Sequence, residues 1–273
     1  MRQSPNPRNR DMTPSHADDL DLLQGAALQA GRLAMGFFGK DPETWNKQGG
    51  SPVTEADMAV DDFLRGSLLE ARPDYGWLSE ETADTADRLD RARVFVVDPI
   101  DGTRGFIRGD ERWCISIAVV EDGRPVAAAL MVPVQDRLLT ARLGGGAWCG
   151  DRRIIATETG YGVDMRVAGP QSWLDGKSFT NIRGRGVDHA PSLAYRFAQV
   201  ALGETDAAFS KPRSHDWDLA ACDLLVHEAG GRLTDLQDRV PQYNRRDLQH
   251  GILVAANARI QPRLVGELAR AAD

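Results

Sequence analysis

Val94-Phe95-Val96-Val97 runs directly into Asp98-Pro99-Ile100-Asp101-Gly102-Thr103, and this junction constrains the fold more than any other stretch of the chain. Four consecutive β-branched or aromatic residues read as the interior of a buried strand. Pro99 has no N–H to give to a ladder, so pairing is expected to stop at Asp98. Three residues on, Asp101 lies in a turn where Gly102 permits unusual backbone angles, so two carboxylates and the Ile100 carbonyl can converge on one small volume. Carboxylates so close repel each other and resist desolvation, and a divalent cation relieves both costs. An isolated D-x-x-D-G is more often a surface turn, so the weight falls on its company.

Three further segments supply it. Tyr75-Gly-Trp-Leu-Ser-Glu80-Glu81 reads as a short strand whose alternation sends Glu80 and Glu81 to opposite faces, so only one reaches the site. Ser51-Pro-Val-Thr54-Glu-Ala-Asp57 opens an amphipathic helix with Ala59, Val60, Phe63, Leu64 and Leu68 at helical spacing. Thr54 is its expected N-cap and Asp57 completes a capping box, which is a structural role for both. Asp216-Trp217-Asp218 begins another helix that ends at Gly230-Gly231, with Asp216 or Asp218 in its first turn, where acids commonly complement the dipole.

Together the four segments resemble the inositol monophosphatase superfamily of Mg²⁺-dependent, lithium-sensitive phosphatases, over about Lys47 to Gly231. The D-P-x-D-G-T core is Asp98 to Thr103, the E-E pair is Glu80-Glu81, the W-D-x-A-A helix is Trp217 to Ala221, and the V-T-x-A-D stretch is Val53 to Asp57. The resemblance implies that Glu80, Asp98, Asp101 and Asp218 bind two or three Mg²⁺ ions through side chains, with the Ile100 carbonyl as a further ligand. It also implies that Glu80 and Thr103 orient the attacking water, that Asp57 hydrogen-bonds Thr103, and that the Gly102 and Thr103 N–H groups cradle phosphate. The donors are all oxygen, which suits Mg²⁺, and no Cys/His set has zinc spacing. The implied fold is a layered α-β-α-β-α sandwich of the α+β or α/β class, and the implied assembly is a homodimer.

The resemblance implies a small phosphate ester as substrate, and the residues around the ester decide which. Phe209-Ser-Lys211-Pro-Arg213-Ser214 places two cations where inositol-specific relatives tend to place a carboxylate, and Lys47 and Arg104 add positive charge. These four suit a second phosphate, which favours a 3'(2'),5'-bisphosphate nucleotide over inositol 1-phosphate and histidinol phosphate, although exposed Lys and Arg usually only solvate a surface. A reading of another class is a phosphatase-like scaffold for a protein or RNA partner. The complete acidic set argues for catalysis.

With 33 basic against 40 acidic residues and a net charge of -7, the chain is not a general nucleic-acid-binding surface. No apolar run approaches the roughly 20 residues of a membrane span. Cys114, Cys149 and Cys222 are odd in number and widely spaced, which fits reduced thiols and a cytoplasmic setting. Residues 1–16 read as a disordered tail, 17–155 as an α+β half that binds the metals, and 156–273 as an α/β half that completes the site. The first half holds helices near 18–38 and 55–71, then strands near 75–79, 93–98, 114–121, 125–132 and 136–142, forming an antiparallel sheet. The second alternates strands near 164–168, 178–182, 206–209, 231–235 and 251–256 with helices near 191–202, 216–229 and 260–271, giving a parallel or mixed sheet. Gly144-Gly145-Gly146 bends a hairpin rather than holding phosphate, because no Lys-Ser/Thr follows.

Overall fold

Helix α1 (His16–Met35) begins where Ser15 and Asp18 cap it reciprocally, Ser15 N donating to Asp18 Oδ2 at 2.8 Å and Asp18 N to Ser15 Oγ at 3.2 Å. The computed structural model describes residues 14–47, 49–170 and 184–272. Residues 1–13 of the expected tail and the strand expected near 178–182 lie outside the described residues. After α1, strands β1 (Thr44–Asn46) and β2 (Pro52–Thr54) form a short antiparallel hairpin that leads into α2 (Glu55–Ala71).

A seven-stranded sheet follows in sequential order: β3 (Gly76–Ser79), β4 (Arg93–Asp101), β5 (Cys114–Glu121), β6 (Arg124–Val132), β7 (Arg137–Arg142), β8 (Gly146–Cys149) and β9 (Arg152–Ile154). Its pairings are antiparallel except that β3 runs parallel to β4, a departure from the uniformly antiparallel expectation. The connection from β3 passes through a 3₁₀ turn at Ala86–Asp90 and returns to the same end. The glycine run bends the β7–β8 hairpin, with Gly144 and Gly146 at φ of 71° and 77°.

The second sheet has the order β11-β10-β12-β16-β14, from β10 (Arg166–Ala168), β11 (Arg185–Gly186), β12 (Ala207–Phe209), β14 (Gly231–Asp235) and β16 (Leu253–Asn257). It is mixed: β10 lies parallel to β11 and β12, while β16 runs antiparallel to β12 and β14. Strands β13 (Ser214–His215) and β15 (Gln249–His250) form a separate antiparallel pair. Further helices among the described residues are α3 (Thr103–Ile107), α4 (Leu193–Ala201), α5 (Asp216–Glu228) and α6 (Gln261–Ala272).

Strand alternation sorts these elements into five layers. Phe95, Val97, Ile117 and Ala129 face α1 and α2, while Val94, Val96, Ala118 and Leu130 face α4 and α5. Ala168, Ala208 and Ala255 close that middle layer from the second sheet, and Val167, Phe209 and Val254 turn outward to meet Leu264 and Leu268 of α6. The order is therefore α-β-α-β-α. Fully buried Phe95, Phe106, Trp113 and Phe197 each contribute on the order of 1.5–3 kcal/mol of burial.

Candidate active site

Pairing of β4 does not end at Asp98. Asp98 pairs with Ser116, the register shifts across buried Pro99 and Ile100, and pairing resumes at Asp101 with Cys114. Pro99 lacks the donor that would have continued the ladder, so the extra residue is accommodated there. The bulge has a geometric consequence. Residues three apart on a regular strand face opposite sides, but the added residue returns Asp101 to the side that Asp98 already faces, that of Val96 and Cys114. Ile100 is instead buried among the α1–α2 side chains.

That shared side is covered by α5, whose first turn carries Asp218. Carboxylate oxygens of Asp98, Asp101 and Asp218 lie within 4.8 Å of one another. All three line a cavity of about 450 Å³ together with Glu80, Gly102, Thr103, Arg104, Arg108 and His189. Glu80 is delivered by the end of β3, where its N–H donates to Val97 O at 3.2 Å. The turn beneath it is held by Asp61, which accepts from Ser79 Oγ and Thr82 Oγ1 at 2.5 Å each. Asp216, the other first-turn acid, faces His250 and Asn244 N instead, at 2.7 and 2.6 Å.

Burial pushes the Asp98 carboxyl well above the usual range, reinforced by Glu80, Asp101 and Asp218. Burial does the same to Asp218, with Asp101 and Glu80 adding to it. Asp101 is raised by burial to about 6, against hydrogen bonds from Ser192 Oγ at 2.5 Å and Ala194 N at 2.6 Å that favour its charged form. Three mutually repelling, desolvated carboxylates form an all-oxygen donor set that fits Mg²⁺.

Gly102 is required where the chain turns from strand to α3. It adopts φ of 97°, and a Cβ there would stand 3.1–3.2 Å from the Ser192 backbone. Thr103 follows as the first helical residue, its Oγ1 at 3.1 Å from Asp57 Oδ1 and 3.1 Å from Ile100 O. Asp57 is fixed from its other oxygen, which accepts from Thr54 N at 2.8 Å and Thr54 Oγ1 at 2.6 Å in the expected capping box. Burial raises the Asp57 carboxyl, while the Thr54 and Thr103 bonds pull it back.

The four expected substrate cations separate. Lys47 Nζ bridges Glu80 Oε1 and Glu81 Oε1 at 2.7 Å each, so its charge is committed to the acid pair rather than to the ester side of the cavity. Both glutamates thus meet one cation despite their alternation, with Glu81 the more buried and raised by burial to about 7. Arg104 is exposed on the rim of the acidic cavity. Lys211 and Arg213 line an adjoining cavity of about 760 Å³, with His189, Leu193, Arg196 and Ser214. His189 borders both cavities. His215 stacks on Trp217, with centroids 4.7 Å apart. Sequence reasoning missed Ser192, Arg196, Arg108 and His189. A buried arginine among Ala194, Tyr195, Phe197 and Ala198 was the available signal for Arg196.

The layered fold and its oxygen-donor pocket agree with the class that its relatives define, the phosphoric monoester hydrolases. The sequence profile of the inositol monophosphatase family matches residues 18–273. Inositol-1-monophosphatase of Mesorhizobium japonicum is 32% identical over 261 residues, covering 90% of this chain and 94% of its own. Histidinol-phosphatase of Mycobacterium tuberculosis is 35% identical over 231 residues, covering 80% and 88%. The IMPase structure from Thermotoga maritima superposes with a TM-score of 0.83 at 26% identity, covering 93% of this chain and 98% of that one. The chain belongs to the inositol monophosphatase family, whose members are Mg²⁺-dependent phosphatases. No described helix is long and apolar enough to cross a membrane.

Proposed function

We propose that this phosphatase hydrolyses a 3'(2'),5'-bisphosphate nucleotide at one ester, with Glu80, Asp98, Asp101, Asp218 and the Ile100 carbonyl holding Mg²⁺. When bound, Mg²⁺ supplies Lewis acidity that makes water a nucleophile and neutralises charge on the phosphate and the departing oxygen. With the Ile100 carbonyl turned to the metal, the Thr103 hydroxyl donates its single hydrogen bond to Asp57 Oδ1 rather than to Ile100 O at the same distance, which leaves an oxygen lone pair to accept from the attacking water. Glu80 accepts the second hydrogen of that water. Gly102 and Thr103 N–H groups, at the start of α3, receive the phosphate oxygens. The P–O ester bond breaks in line with the attack, the attacking water gives up one proton and the departing oxygen takes one up through solvent, and the products are the alcohol and inorganic phosphate.

One observation carries the choice of ester: the cavity adjoining the acidic pocket is walled by Arg196, Lys211 and Arg213. Histidinol phosphate, which carries positive charge away from its ester, would meet like charge there, and inositol offers only neutral hydroxyls. The test compares kcat/KM on adenosine 3',5'-bisphosphate, inositol 1-phosphate and histidinol phosphate at one Mg²⁺ concentration. Preference for the bisphosphate is expected, and preference for either of the others overturns the assignment.

A further inference from the structure

Helix α4 serves the acidic pocket through Ser192, its N-cap, which donates to Asp101. One helical turn later, Arg196 lines the adjoining cavity instead, at only 9% exposure. Its hydrogen bonds among the described residues go to two backbone carbonyls, Nε to Ser192 O at 3.3 Å and Nη1 to Phe209 O at 3.5 Å. Burial lowers its pKa, and the charges of Asp101 and Asp218 oppose that without a hydrogen bond to it. Those two carboxylates belong to the acidic cluster, so Arg196 has no carboxylate of its own. A buried cation left so weakly bonded is costly and persists where a ligand anion completes it.

A second observation lies on the same wall. Ser214 lines the cavity, and its Oγ is buried with no hydrogen-bond partner among the described residues. The preceding Arg213 is held in the left-handed region at φ of 76°, fixed by its N–H donating to His250 O at 2.8 Å. The wall thus offers a buried planar donor fork, with a solvent-shielded, unpartnered hydroxyl on a lining residue and exposed Lys211 and Arg213.

We infer that Arg196, together with the Ser214 hydroxyl, binds the second phosphate of the substrate and sets the preference for bisphosphate over monophosphate esters; this rests on the bisphosphate reading above. The guanidinium fork matches two phosphate oxygens, and in a desolvated setting such a pair outweighs what the solvated Lys211 and Arg213 contribute. Those two act mainly by attracting the anion toward the cavity.

The test measures kcat/KM for adenosine 3',5'-bisphosphate and adenosine 3'-monophosphate, and calorimetric binding of adenosine 5'-monophosphate, in wild type, Arg196→Met, Arg196→Lys and Ser214→Ala. Wild type is expected to prefer the bisphosphate. Arg196→Met is expected to lose about 10- to 100-fold of that preference and to bind adenosine 5'-monophosphate more weakly by a similar factor. Absence of preference in wild type overturns the bisphosphate reading and this inference with it. A folded Arg196→Met variant with wild-type preference and binding overturns the inference alone. Should Arg196→Met fail to fold, Arg196→Lys and Ser214→Ala decide: reduced preference in both supports the subsite, and wild-type preference and binding in both reject it.

Discussion

The Thr103 hydroxyl lies 3.1 Å from Asp57 Oδ1, while the other Asp57 oxygen is held by the backbone and side chain of Thr54. One carboxylate thereby caps α2 and orients the hydroxyl that opens α3. Removing the hydroxyl should slow chemistry without disturbing the carboxylates that hold metal. Thr103→Ala is expected to lower kcat by about 10² or more with a nearly unchanged Mg²⁺ activation constant. Steady-state kinetics at varied Mg²⁺ check this, and a loss confined to Mg²⁺ affinity would contradict the assignment.

Asp101 is steered by Ser192, which donates at 2.5 Å from the start of α4. Outer partners of metal-binding carboxylates commonly matter by about 10- to 100-fold in metal affinity. Ser192→Ala is expected to raise the Mg²⁺ activation constant by about tenfold while much of the kcat at saturating Mg²⁺ survives. An unchanged activation constant would show that Ala194 N suffices to orient Asp101.

Acidic pH should weaken the effect of Mg²⁺ on stability. Glu81 and Asp101 are raised from 4.5 and 3.8 to about 7 and about 6 in the metal-free fold. Between the unfolded and folded values the native state keeps protons that the unfolded chain has released, so metal-free stability falls as pH rises from about 4 through about 7. Mg²⁺ needs the charged carboxylates and removes their repulsion. Differential scanning fluorimetry is expected to show a larger Mg²⁺-induced rise in Tm at pH 7.5 than at pH 5.5; equal rises would contradict the raised values.

The outermost layer depends on one buried cation. Arg93 Nη1 meets Asp19 Oδ2 at 2.9 Å and Arg93 Nε meets Glu121 Oε1 at 2.9 Å, tying α1 to β4 and β5. Asp19 is fully buried and pairs also with Arg72, so removing Arg93 leaves it with one of its two cations. Arg93→Met is expected to destabilise the protein by about 3 kcal/mol in urea denaturation. A loss below about 1 kcal/mol would mean that Arg72 and Tyr75, which also bond Asp19, satisfy it alone.

The acids of the site were legible in the sequence because Asp98, Asp101 and Asp218 each sit in a short segment with its own punctuation, Pro99 and Gly102 in one and the α5 start in the other. What brings Asp98 and Asp101 to one face was not. The bulge depends on register with Cys114 and Ser116 of β5, a long-range pairing that Pro99 signals only as an interruption. The five-layer order was legible only through the family resemblance; strand alternation and helical periodicity gave the individual longer elements, whereas β8, β9 and the β1–β2 hairpin are too short to carry a periodic signal. Lys47 and Arg196 show the same limit from opposite directions. Lys47, expected to face the substrate, is paired to Glu80 and Glu81, while Arg196, missed within the helix expected near 191–202, lines a cavity.

Convergence of Asp98, Asp101 and Asp218 on one cation is tested most directly by titrating Mg²⁺ into wild type and Asp98→Asn, following both phosphate release and Tm. Wild type is expected to gain activity and Tm together, and the folded Asp98→Asn variant to gain neither over the same range. An Asp98→Asn variant with wild-type phosphate release and a wild-type Mg²⁺ shift in Tm would contradict the shared-cation site.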